Sequence, residues 1–304
     1  MLTSIRGLSA ATLSAGALFC TAPAFAAEAS DEAAISEDLI AASAALDHTP
    51  TKDETVLTTM VEAETVSASA VRAGEPVDAA VASDLGGEGG VEISANVAFT
   101  TEYRFRGVDL SGGEFAVQGG FDVSVPGGFY VGTWASNLDE DTVGFGSTEL
   151  DVYGGWSGDL TDGIGIDVGM IAYLYPDAGP GDFDYIEFYG SVSGEFGPAS
   201  VTAGIAYAPD QDSLGSTDNL YLYTDLGVGI PGTPLTVTGH LGYTDGFLTF
   251  TDNSKALDWS IGAETAVGPL TLSAAYVGVE SDELVDPGKV FTDDAFVLTV
   301  SASF

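Results

Sequence analysis

The side chains best placed to do chemistry in this chain are carboxylates set at every second position of extended runs. Glu149 and Asp151 stand two apart, Glu187 lies between Tyr185 and Tyr189, and Asp225 follows Tyr221 and Tyr223 at the same spacing. On a strand, residues two apart share a face, so each group presents acid and phenol to one side. Glu102, Asp122, Asp167 and Glu264 occur in similar runs, where the basic residues are Arg104 and Arg106; Lys255 and Lys289 fall between runs. A water-filled passage lined in this way focuses a negative potential and favours cations. The same residues allow a second reading. Glu102, Arg104, Arg106 and neighbouring acids can close a polar network that plugs a narrow interior, because a buried charge must pair.

Other candidate chemistry fails on its own spacing. "DQDSLGSTDNLY" opens like a calcium loop at Asp210, Asp212 and Gly215, but Leu214 and Tyr221 occupy ligand positions. "GVGIPG" has the letters of a dinucleotide fingerprint, yet Pro231 and Pro234 forbid the required helix, leaving a turn. His240 is the one histidine after the N-terminal region, and Ser260 follows on the next run. A hydrolase would need such a serine polarised by the histidine and oriented by a third group, and nothing in the spacing marks one. The sequence therefore predicts no catalytic, cofactor or metal site, and no enzyme.

The elements that carry these residues follow from composition. Forty-six acids against seven basic residues give a net charge of -39, which argues against nucleic acid as a partner. Residues 1–26 combine an early arginine, an apolar stretch and Ala24-Phe25-Ala26, the pattern of a cleaved secretory leader. Cys20 departs with it, and Phe19 is too bulky for a lipidation site, so the mature chain has no thiol or disulfide chemistry. Residues 27–90 hold fourteen acids, two basic residues and no aromatic. Such a tract cannot bury a core and reads as a largely disordered acidic tether.

From residue 91 the pattern becomes period-two alternation with Gly, Pro, Asp and Asn between runs. Twelve strands are predicted: 93–106, 115–125, 128–137, 148–158, 163–174, 183–195, 200–208, 218–229, 234–244, 256–267, 270–280 and 292–304. Most are near the nine to eleven residues that cross a bilayer at a tilt. After the leader no run is apolar enough for a transmembrane helix, yet mean hydropathy is positive at +0.23 and glycine reaches 40 residues. A membrane barrel reconciles these, since its apolar side chains are interleaved with polar ones. Short turns such as "PGG", "FGPA" and "VGP" alternate with long acidic connections such as "NLDEDTVGFGS", the loop arrangement of an outer-membrane barrel. Aromatics at strand ends, among them Tyr103, Phe105, Phe129, Trp156, Tyr243 and Phe296, suit interfacial girdles.

Four ordered pieces within residues 94–158 carry a resemblance: S-x-N-V ending in Y-R-F-R-G, then Q-G-G-F-D, G-F-Y-x-G-x-W-A-S-N and E-L-D-x-Y-x-G-W. Together they resemble the TorF-type family of outer-membrane porins, a proteobacterial barrel family long carried as conserved hypothetical proteins. The resemblance implies a porin fold and an outer-membrane location; the acidic tract is not part of it. The terminal Phe304 resembles the signal that such barrels present to their assembly machinery.

The expectation is thus an all-β protein, an antiparallel transmembrane barrel of about twelve strands over 91–304. Its predicted lumen is lined by Glu102, Arg104, Arg106, Asp122, Glu149, Asp151, Asp167, Glu187, Asp225 and Glu264. Its partners would be outer-membrane lipid, the assembly machinery and small solutes or cations, and its acidic segment would lie in the periplasm. The alternative is a non-conducting barrel with a structural or surface-binding role.

Overall fold

The computed structural model describes residues 90–249, 251, 253–280 and 292–304. The expected leader at 1–26, nearly all of the expected tether at 27–90, and Lys289 lie outside the described residues.

Fourteen strands follow one another: β1 (Glu92–Thr100), β2 (Arg104–Phe105), β3 (Val108–Asp109), β4 (Ala116–Val125), β5 (Phe129–Asn137), β6 (Thr148–Thr161), β7 (Ile164–Leu174), β8 (Tyr185–Glu195), β9 (Ala199–Gln211), β10 (Thr217–Gly229), β11 (Leu235–Gly246), β12 (Lys255–Val267), β13 (Leu270–Glu280) and β14 (Ala295–Ser303). All but β2 and β3 close into one antiparallel barrel in chain order, with β1 paired to both β4 and β14. The seam is completed by the last residue, whose amide donates to Ala95 O (2.8 Å) and whose carbonyl accepts from Ala95 N (3.1 Å). Closure of this kind leaves no strand edge unpaired, which is what a hydrocarbon solvent demands.

Alternation sorts the two faces as expected. Phe99, Val131, Val168, Met170, Phe188, Leu222, Ile261, Phe296 and Leu298 point outward and are exposed. At alternate positions along the strands, Asp151, Tyr153, Glu187, Tyr221 and Asp258 point inward and are buried. An apolar outer band with exposed aromatics such as Phe115, Phe129, Phe196 and Phe304 near its rims is the surface a bilayer solvates. Inside, a recurrent pairing shapes the wall. Tyr153 lies across Gly132, Tyr130 across Gly155, Tyr189 across Gly169, Tyr223 across Gly204 and Tyr221 across Gly242; a Cβ at any of these glycines would run into the ring or its hydroxyl. The rings thereby lie flat against the wall.

Several boundaries differ from the expectation by two to six residues. The first strand ends at Thr100 rather than at 106. The connection expected to be long between the seventh and eighth barrel strands shrinks to residues 212–216. There the Gln211 side chain extends the ladder, donating to Ile186 O (3.0 Å) and accepting from Ile186 N (2.9 Å), while Leu214 is buried. A side chain that mimics backbone lets β9 run on past the Pro209 that appeared to end it.

Candidate functional site

Residues 101–115, the connection from β1 to β4, turn into the barrel, and every residue from 103 to 111 is buried. Within this segment Arg104 pairs with Asp109 and Phe105 with Val108, forming the β2–β3 hairpin. Its two-residue turn is Arg106-Gly107, both at positive φ (50° and 80°). That is the mirror-image turn whose twist suits a tight hairpin. Gly107 meets it without strain, while a left-handed arginine costs about 1–2 kcal/mol, so its surroundings must hold it there.

They do so through its terminal nitrogens and its flat face. Arg106 Nη2 donates to Glu187 Oε2 (2.7 Å) and Nη1 to Glu187 Oε1 (3.2 Å), with side chains only 2% and 1% exposed. Its Cζ lies 4.2 Å from the centre of the Tyr221 ring and 4.7 Å from that of Phe105. The Tyr173 hydroxyl donates to the same Glu187 Oε2 (3.2 Å), giving the carboxylate a further donor. A bidentate charged pair between aromatic faces is among the strongest contacts available to a guanidinium.

The rest of the hairpin is anchored around the circumference. Tyr103 donates to Glu149 Oε1 (2.5 Å) and packs edge-on against Trp134, while Tyr175 donates to Glu149 Oε2 (3.0 Å). Phe105 meets Tyr173 edge-on. Arg104 pairs with Glu102 and donates to Asp293 O (2.9 Å). Opposite, Gly107 presses so closely on β12 and β13 that a Cβ would lie 3.0 Å from Asp258 Cβ, Gly278 O and Val279 Cβ. The apolar core of the protein is this filling: Tyr103, Phe105, Val108 and Leu110 inside a collar of Trp134, Tyr153, Ile171, Tyr173, Tyr175 and Tyr185. At about 1.5–3 kcal/mol for each large side chain fully buried, the packing holds the hairpin as firmly as the ion pairs do.

The predicted site residues therefore fall into three groups. Glu102, Arg104 and Arg106, expected on the wall of the first strand, belong instead to the inserted segment. Tyr103 and Phe105, expected in an interfacial girdle, enter the lumen with it. Glu149 and Glu187 bind the hairpin from the wall, and Asp151 sits beside them on β6, buried, with Oδ1 lacking a hydrogen-bond partner. The remaining acids lie nearer the short-turn end. Asp122 accepts from Tyr153 (2.6 Å), and Asp167 accepts from Tyr130 (2.6 Å), whose hydroxyl also contacts Tyr189. Glu264 is buried, with Oε2 lacking a hydrogen-bond partner. Asp225 lies 2.7 Å from His240 Nδ1.

Asp258, Tyr103, Tyr173 and Tyr221 are lumenal residues the sequence reading did not single out for a site. Asp258 lies 2.9 Å from His240 Nε2 and accepts from the Tyr221 hydroxyl (3.0 Å). Both imidazole nitrogens thus face carboxylates, and Ser260, the register neighbour of His240, is not among their partners. Among the described residues, no three His, Cys, Asp or Glu side chains are spaced to hold a metal ion.

A closed even-numbered antiparallel ladder, an apolar outer belt and a polar, hairpin-filled interior define an outer-membrane β-barrel of the porin-like type. The chain belongs to a bacterial protein family of unknown function, Gcw_chp, whose model matches residues 84–304. No curated protein matches it. Similar solved structures include the NanC porin (TM-score 0.48, 9% identity, 69% of this chain and 98% of that one) and the KdgM porin (0.47, 10%, 69% and 99%). LpxR from Salmonella typhimurium is also similar (0.40, 10%, 69% and 99%). Likeness at this level concerns architecture alone.

Proposed function

We propose that the barrel is a passive outer-membrane channel for small solutes that prefers cations. The observation that carries this is the charge of the interior: Asp122, Glu149, Asp151, Asp167, Asp225, Asp258 and Glu264 face the lumen in excess of Arg104 and Arg106, each of which already has an acid partner. In a confined space of low dielectric that excess concentrates cations. The TorF-type porin resemblance of residues 94–158 supports the outer-membrane barrel on which this reading rests. Long connections then face the cell exterior and short turns the periplasm, where the acidic segment 27–90 would lie. Phe304 would serve as the mark read by the assembly machinery.

The filled long-loop end favours a second reading, a non-conducting barrel that works through its outer loops. One experiment separates them. The refolded protein is inserted in a planar bilayer under a potassium chloride gradient. Discrete current steps with a cation-selective reversal potential are expected; a folded, inserted and silent barrel overturns the channel reading.

A further inference from the structure

The Arg106 guanidinium occupies a site built for a guanidinium. Glu187 grips it in bidentate fashion, Tyr221 and Phe105 offer ring faces, and the Tyr173 hydroxyl holds the carboxylate by a further hydrogen bond. Three of these groups belong to the wall, on β7, β8 and β10, so the cage exists apart from the hairpin that fills it. The hairpin delivers its arginine through a turn position that disfavours arginine, since φ of 50° suits Gly or Asn far better.

We infer that the cage of Glu187, Tyr173 and Tyr221 is a binding site for small guanidinium or alkylammonium compounds, and that Arg106 is its built-in competitor. Ligand and hairpin tip exclude one another. A cationic solute that takes Glu187 releases the ion pair securing the tip, so the site both selects the solute class and loosens the obstruction. As a statement about transported solutes this rests on the channel reading; as a statement about binding it does not.

The test uses methylguanidinium as probe and calorimetry on the full-length folded barrel in detergent. Arg106→Asn keeps a residue tolerant of the left-handed turn and vacates the cage. This variant should bind methylguanidinium saturably. Wild type should bind it at least about tenfold more weakly, and Arg106→Asn with Glu187→Gln should lose at least about tenfold, the worth of a charged hydrogen bond. Absence of saturable binding by the folded variant overturns the proposal, as does equal affinity with and without Glu187. Should Arg106→Asn fail to refold, Arg106→Gly carries the same comparison with less turn strain. Bilayer recordings run alongside. Binding without current in any variant refutes the channel reading and leaves the site standing; current with no binding does the reverse.

Discussion

The two ends of the lumen are lined by different chemistry. Toward the long loops the inward positions are Trp134, Glu149, Asp151, Tyr173, Tyr185, Glu187 and Tyr221, and the β2–β3 hairpin fills what they leave. Toward the short turns smaller side chains, Ser94, Asn96, Ser124, Ser193, Thr202, Thr236, Ser260, Ser273 and Thr299, all partly exposed, share the wall with Tyr130, Tyr189 and Asp167 and with buried Asp122 and Glu264. Where the hairpin reaches, rings and paired charges make a packed core; beyond it, smaller hydroxyls leave the wall partly exposed. One barrel of intermediate size thus holds a packed interior toward one end and a partly exposed one toward the other. The lesson is that the strand number does not decide whether such a lumen is occupied; the sizes of inward side chains and one inserted loop do.

The sharpest way to break this contrast is Glu187→Ala. It leaves Arg106 buried and unanswered by the carboxylate, and loss of one partner of a buried pair costs about 3–5 kcal/mol, to be read as a fall in the urea midpoint of the folded barrel. Next comes Gly107→Ala, which forces a Cβ at φ 80° toward Asp258, Gly278 and Val279. A loss of about 1–2 kcal/mol from the left-handed backbone alone is expected in the same measurement. At the other end, Ser260→Ala should shift stability by no more than about 0.5 kcal/mol; a large loss there would show the partly exposed wall to be packed after all.

The smallest effect lies outside the barrel. Asp177 accepts from the Ser147 hydroxyl (2.5 Å) and amide (3.1 Å), joining two long loops. Those hydrogen bonds hold its carboxyl below the usual aspartate range. Because the folded value is the lower one, the tie is present above the ordinary aspartate pKa and is lost as pH falls through the lowered value. The Ser147 amide resonance should move with that acidic midpoint, and Asp177→Asn should abolish the step.

Much of this was legible because a bilayer and a wall enforce strict alternation. The strands at 129–137, 164–174 and 270–280 fall within a residue of expectation, and inward Glu149, Asp151 and Glu187 were read from spacing alone. The hairpin was not legible for the converse reason. In "TEYRFRGVDL" apolar and charged residues alternate as in a membrane strand, but the segment is enclosed on both sides, so alternation there separates ring contacts from ion pairs rather than lipid from lumen. Arg-Gly is an unusual pair for a mirror-image turn, where Asn-Gly is the common signal, and only that dipeptide could have betrayed it. The roles of Tyr103, Tyr173 and Asp258 required register: the partners of Tyr103 and Arg106 lie 46 and 81 residues onward.

That the hairpin directly follows the strand beside the seam constrains the order of events as the protein is made. The wall partners of the tip, Glu187, Tyr221 and Asp258, lie far onward in the chain, so the tip is held only once most of the sheet has formed. Loop-closure entropy grows slowly with length, so the late, distant contacts remain accessible once the intervening strands have zipped. The bonds of Phe304 to Ala95 close the ring to which every wall partner of the hairpin belongs.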